Sequence, residues 1–241
     1  MTKSTNEQQL LSLVKELQDF SFSQVGSIKI LRILGYGLLL LAAFDIIEMF
    51  VTPSFMNPAW EFNTFGAIVE RVPVPLIGLA LVFYGNLYSR SKWEFLGLRF
   101  LSWLTLLLGV LFILLIPLSV SNTIRLSKQN TYQINVLSEQ QISQAEQIEK
   151  RVSQATPEQI NDFLKAQNRP LDTKNIQNQK SQILSQVSQA KTQIKTQAEA
   201  TQSSRNLNLL KSSVKWNLGA LVSATLFFIF WKKTRWARTK L

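Results

Sequence analysis

The chain has 241 residues, with 26 Lys and Arg against 15 Asp and Glu, a formal charge of +11, and neither Cys nor His. That composition excludes thiol nucleophiles, disulfides, Cys/His zinc sites, His general bases and His-ligated haem. The hydrophobic fraction of 46% is ordinary, but it is gathered into long runs in the first half and at the end, with a polar block between them.

Residues 1–27 come before the first long apolar run. Ser4 with Glu7 fits a capping box, in which the hydroxyl bonds a backbone N–H of the first turn and the carboxylate reaches back. Leu10, Leu13, Val14 and Leu17 then form one apolar stripe, with Lys15, Glu16 and Asp19 elsewhere on the wheel. This predicts an amphipathic cytoplasmic helix, lying on the membrane surface or the protein's own loops, or docking a partner. No cleavable signal peptide is expected, because a polar, mixed-charge segment precedes the run and no small-residue cleavage site follows it.

Four membrane spans are predicted, each judged against the roughly 20 residues needed to cross a bilayer. The first is Ile30–Val51, where Arg32 can snorkel to the headgroups and Gly35 and Gly37 offer close helix approach. The second, Val72–Tyr88, is short; Pro73 and Pro75 sit in its first turn, and Tyr84 and Tyr88 suit an interfacial end. Phe100–Val120 is the most apolar, with Pro117 near its end as a candidate kink. Asn217–Trp231 is the fourth. Trp216 and Trp231 at its edges are about 22 Å apart on a helix, the spacing of an aromatic belt.

Four spans put both termini on one side. The tail carries Lys232, Lys233, Arg235, Arg238 and Lys240 with no acid, and the loop after the second span carries Arg90, Lys92 and Arg99 against Glu94. The loop after the first span carries Glu61 and Glu70 against Arg71. The positive-inside rule therefore places the termini in the cytoplasm and the polar block on the other side. Loss of the second span would leave three and separate the termini.

The polar block, residues 121–215, must leave the membrane and return to it. In the outgoing arm Ile142, Ala145, Ile148, Val152 and Ala155 recur every three or four residues. In the return arm Ile176, then seven residues on Ile183, Val187, Ala190, Ile194, Gln197 and Thr201 at steps of three and four, follow a pattern closer to a heptad. Between them Thr156, Pro157 and Gln159 read as an N-cap, a first-turn proline and a capping-box partner, starting a tip helix over 157–168. Asn168–Pro170 would end it. Arms counted over 121–155 and 171–205 are equal, each about 50 Å long. The expectation is a translocated antiparallel coiled-coil hairpin with a thin seam, led by Ile148, Val152, Ile183, Val187 and Ile194. Two hairpins could also pair as a homo-oligomer. The other reading of so Gln/Ser-rich a block is a disordered loop; against it stand the sustained spacing and prolines confined to the tip.

Asp45 and Glu48 share a helix face near the outer end of the first span. They read as interfacial carboxylates, as a salt bridge to a partner or to Arg71, or as a proton or ion site. The basic tail is a topology signal and, with Trp216, Trp231, Lys232, Lys233 and Arg235, a membrane-surface anchor. Nucleic acid is not expected, since topology accounts for the charge. No phosphate loop or nucleophile elbow occurs, so no catalytic residue, cofactor or metal is assigned.

The polar N-terminal helix, the spans containing FDIIEMF and VPVPLIGLALVFYG, the Gln-rich hairpin with TPEQINDFLKAQ at its tip and the final span with its basic tail together resemble the HpsJ-like family of cyanobacterial membrane proteins. The resemblance covers nearly the whole chain. It implies a cyanobacterial source and an accessory role in exopolysaccharide secretion, associated with hormogonia and gliding, and it brings no catalytic residues with it. The expectation is an all-α integral membrane protein, non-enzymatic, acting as a scaffold through protein partners on the hairpin and the N-terminal helix. The plasma membrane is favoured. The alternatives are an assembly factor or peripheral subunit of a thylakoid photosynthetic complex, and a small channel or transporter using Asp45 and Glu48.

Overall fold

The structure, a computed structural model, describes residues 2–85, 90–156, 158–159 and 176–239; side chains are described over the same ranges except at 2–14, 16–25 and 176. Six helices cover these residues: α1 Thr2–Met49, α2 Pro58–Arg71, α3 Pro73–Phe83, α4 Lys92–Gln154, α5 Ile176–Lys233 and α6 Arg235–Thr239. No strand occurs among the described residues. Four stretches are long and apolar enough to cross a membrane: Gly26–Met49, Pro58–Phe83, and parts of α4 and α5.

The boundaries differ from the sequence expectation in two ways. The helix begins at Thr2 and runs past residue 27 unbroken, so the N-terminal segment and first span are one element. Pro117, the candidate kink, lies inside α4. Most consequentially, the second span starts at Pro58, and the segment expected as a loop with Glu61, Glu70 and Arg71 is helix α2. Proline is tolerated in a first turn because that N–H has no partner within the helix. Pro58 uses this, and the Asn57 side chain accepts from the Ala59 N–H to complete the cap. Pro73 and Pro75 make a joint within the span, since their missing N–H groups interrupt the ladder between α2 and α3. Val72 bridges the joint with helical φ and ψ.

The chain forms two compact units, residues 1–122 with 212–241 and residues 123–211. In the first, Phe65 and Val69 of α2, Val72, Leu79 of α3, Phe112 of α4, and Ala220, Ala224 and Phe227 of α5 form the core, with Leu39 of α1 packed against it. Small residues let the helices close. A Cβ at Gly35 would lie 2.9 Å from the Gly78 carbonyl, and a Cβ at Gly66 would run into the Trp216 ring. Gly37, the other glycine expected at a crossing, has nothing near it. Large apolar side chains cover the outside, among them Ile33, Leu41 and Phe44 of α1 and Leu107 and Leu114 of α4. That is the distribution a lipid-facing surface requires, because burial inside the protein and exposure to hydrocarbon cost an apolar side chain about the same.

The second unit is an antiparallel helical hairpin. Ser127 donates to Asn206 (3.0 Å), Gln202 to Thr131 (3.1 Å), and Lys180 to the Ser153 carbonyl (2.7 Å). These three pairs are equidistant from one midpoint between residues 166 and 167. The start of the outgoing arm therefore pairs near residue 211, where the unit ends, rather than near Arg205 as equal arms over 121–155 and 171–205 required. The Thr156 N–H donates to Gln159 Oε1 (3.1 Å) and the Gln159 N–H approaches Thr156 Oγ1 (3.5 Å), the reciprocal pair expected at this cap. The remainder of the expected tip helix, including Phe163, lies outside the described residues.

Candidate functional sites

Three polar constellations are built on this frame: one at each end of the spanning bundle and one along the hairpin. The first caps a helix. The last carbonyls of α3 have no intrahelical donors, and the helix dipole makes that end partly negative. The Arg90 guanidinium donates to the carbonyls of Val82 (2.9 Å) and Tyr84 (3.1 Å), and Arg32 Nε donates to Tyr84 (3.3 Å). Glu94 balances both cations, 3.1 Å from Arg90 and 3.8 Å from Arg32. The Arg90 side chain is fully buried beside the Trp236 ring. Burial lowers its pKa from the ordinary guanidinium value, with the Arg32 charge adding to the effect and Glu94 opposing it. Arg32 thus turns inward and is only 5% exposed; it does not snorkel, because α3 offers it better acceptors than the membrane surface.

At the same end, α6 folds against the bundle. Ser102 and Thr234 share a hydrogen bond of 2.7 Å, and Arg238 donates to Ser102 (2.9 Å) while lying 4.5 Å from the Trp231 ring and 5.7 Å from Trp103. Trp231, expected as a surface anchor, carries this guanidinium on its face. Lys232, Lys233 and Arg235 are exposed beside it.

The opposite end is ionic. Arg71 stands 3.4 Å from Asp45 and 3.6 Å from Glu48, so the two carboxylates singled out in the sequence converge on the arginine weighed as their partner. Lys215 and the Trp216 indole both donate to Glu70 Oε1, at 2.6 and 3.0 Å. Asn122 donates to Glu61 (2.7 Å). Trp216 packs on Phe62 with ring centroids 4.7 Å apart, so it locks α2 to α5 besides marking the end of a span. The carboxylates Glu61 and Glu70, expected in a loop, are the helix-to-helix ties here.

In the hairpin, Val152 and Ile183 are buried against each other, with Ala155, Leu184 and Val187 around them. Ile194 is half-buried. Ile148 is 40% exposed, and the neighbouring Glu149 is partly buried. In the return arm Lys191 and Ala198 replace Ala190 and Gln197 as the inward residues. Lys191 reaches Glu149 at 2.8 Å and Glu146 at 3.6 Å across the arms.

The HpsJ-like protein family matches residues 26–235, which takes in all four spans and both arms. The chain belongs to that family. No curated protein and no solved structure matches it. The family match starts within α1, at Gly26, so residues 1–25 lie outside it. The Arg32–Arg90–Glu94 cap escaped sequence reading because its acceptors are backbone carbonyls, which leave no residue-type signal. The glycine crossings escaped in part because Gly66 lay in an expected loop.

Proposed function

We propose that this chain is a non-enzymatic membrane scaffold that supports exopolysaccharide secretion and gliding in cyanobacteria, with the hairpin on the non-cytoplasmic side as its partner-binding element. The observation that carries this reading is the hairpin itself. Polar cross-arm bonds hold it more than a filled core does, and it keeps a long polar surface available along both arms. Family membership supplies the secretion context. The lack of His and Cys, and the use of the polar clusters as helix caps and interhelical ties, favour a structural over a catalytic role.

The test is complementation in a cyanobacterium lacking the gene. The full chain should restore extracellular polysaccharide and gliding, whereas a chain with residues 123–211 replaced by a short linker should insert in the membrane and restore neither. Recovery of secretion without the hairpin would sink the proposal. Sidedness is tested separately: the chain has no Cys, so one engineered at exposed Tyr132 can be labelled without background. Labelling by an impermeant maleimide from outside is expected; labelling only from the cytosol would reverse the arrangement.

A further inference from the structure

Between Glu48 and Glu61 the chain carries no charged residue, yet this is where α1 turns into α2. Its apolar side chains lie outside the core: Val51 is 70%, Phe55 68% and Met56 84% exposed. The turn is nevertheless closely built. The Phe50 and Val51 N–H groups donate to the Ile47 and Glu48 carbonyls (3.0 and 3.2 Å), and the Asn57 N–H donates to the Ser54 carbonyl (3.1 Å). The Met56 N–H donates to Glu61 Oε1 (3.0 Å) and the Ala59 N–H to the Asn57 side chain (3.0 Å), while Pro53 and Pro58 have no N–H to satisfy. Phe55 and Phe50 meet the Trp60 ring edge-on, with centroids 5.4 and 6.2 Å away. Met56 has a φ of 68°, a left-handed conformation that a bulky residue keeps only where its surroundings impose it. The turn thus uses its polar groups internally and holds apolar side chains outward.

We propose that this turn is a bilayer anchor, with Phe50, Val51, Phe55 and Met56 inserted at the boundary between headgroups and acyl chains in the leaflet that this end of the bundle reaches. Three observations select lipid as the occupant. The turn is tethered at both ends to segments apolar enough to span, Gly26–Met49 and Pro58–Phe83, so it stays close to hydrocarbon. Its surface continues that of the first span: Leu40, Phe44, Ile47 and Val51, all exposed, recur at steps of four, three and four and form one stripe. The backbone donors named above are satisfied within the turn and its flanks, as a segment withdrawn from water requires. Trp60, with an apolar body and a polar N–H, suits the headgroup level. The anchor sets how deep this end of α1 and α2 sits. It depends neither on the scaffold reading nor on which side of the membrane this end faces.

The test is spin labelling of the full chain, which has no native Cys, reconstituted in phosphatidylcholine vesicles. Met56→Cys and, separately, Val51→Cys are labelled, with Tyr132→Cys in the polar block as the water-exposed reference. Collision with oxygen, which concentrates in hydrocarbon, is compared with collision with a neutral nickel chelate, which stays in water. The ratio of oxygen to nickel accessibility should be several-fold higher at 56 and 51 than at 132. If the Met56 substitution disturbs the turn, the Val51 label answers the same question. Introducing Val51→Asp with Phe55→Asp should bring the ratio at 56 down to the reference value. A ratio at 51 and 56 equal to that at 132 would place the turn in water and overturn the anchor. Shielding from both reagents would overturn it too, because a second copy of this chain would then be the cover. A ratio at 56 unchanged by the two aspartates would show that these side chains do not hold the turn in lipid, with the same result.

Discussion

The two units hold together by different means. In the spanning unit, helices approach through glycine and alanine and interlock through rings: Phe112 on Phe227, Phe62 on Trp216. Among the described residues of the hairpin, only Ile134, Val152, Ile183 and Leu209 are buried apolar residues, and hydroxyl, amide and ammonium groups make many of the cross-arm contacts. Fully burying one such side chain contributes about 1.5–3 kcal/mol, so four of them over two long arms leave a small margin against ordering entropy. The contrast shows where each unit is vulnerable: the first to changes of volume, the second to loss of any one of a few contacts.

The largest effect should come from the spanning core. Phe227 is 1% exposed and stacks on Phe112 at 5.8 Å. Phe227→Ala should cost about 3–5 kcal/mol, read as a lowered thermal midpoint in detergent. The comparison breaks if this variant melts like the parent. Next, Ile183→Ala should cost about 2–5 kcal/mol, toward the lower end because a thin seam can collapse around the gap. Amide exchange should accelerate over 123–154 and 176–211 and stay unchanged around Phe112 and Ala224; equal acceleration in both would mean that the units unfold as one. Third, Gly66→Leu places a branched chain where the Trp216 ring lies. Overpacking of this kind costs about 1–3 kcal/mol and should shift Trp fluorescence as the ring is displaced; an unchanged midpoint and spectrum would show that α2 has room to move.

How far the sequence revealed this arrangement depended on the kind of signal. Apolar runs located the first, third and fourth spans because length against bilayer thickness is a one-dimensional property. The second span reads too short in the sequence because Glu61, Glu70 and Arg71 are residues typical of a loop. Asn122 hydrogen-bonds Glu61, Lys215 pairs with Glu70, and Asp45 and Glu48 pair with Arg71, all from other helices, and no window along the chain sees those partners. The hairpin was legible as arms, and Thr156 with Gln159 as a cap, because both are local patterns. Its register was not. Ala190 and Gln197 fit a heptad on paper as well as Lys191 and Ala198 do, and choosing between them requires knowing that Glu146 and Glu149 stand opposite. Asp45 and Glu48 are legible as a pair with Arg71 as a candidate partner, because all three are charged residues near the ends of apolar runs.

Lys191 offers the smallest and most informative perturbation. It occupies an inward position where a hydrophobic residue would normally stand, and its ammonium bridges Glu149 and Glu146. A polar residue in a coiled-coil seam can fix register at some cost in stability. An exposed ion pair contributes about 0–1 kcal/mol, while burying part of a leucine at about 25 cal/mol per Å² gains a comparable or larger amount. Lys191→Leu should therefore stabilise the hairpin by up to about 1 kcal/mol and remove its sensitivity to salt. Register should loosen in exchange. With cysteines at Ser127 and Asn206, the parent should cross-link efficiently, while the leucine variant should also cross-link 127 to positions one turn away on the return arm. A leucine variant that gains stability and keeps a single cross-link would show that Ser127, Thr131 and Lys180 fix the alignment without Lys191. One that loses stability would mean the ion pair outweighs the apolar seam, making the hairpin an electrostatic structure rather than a thinly packed coiled coil.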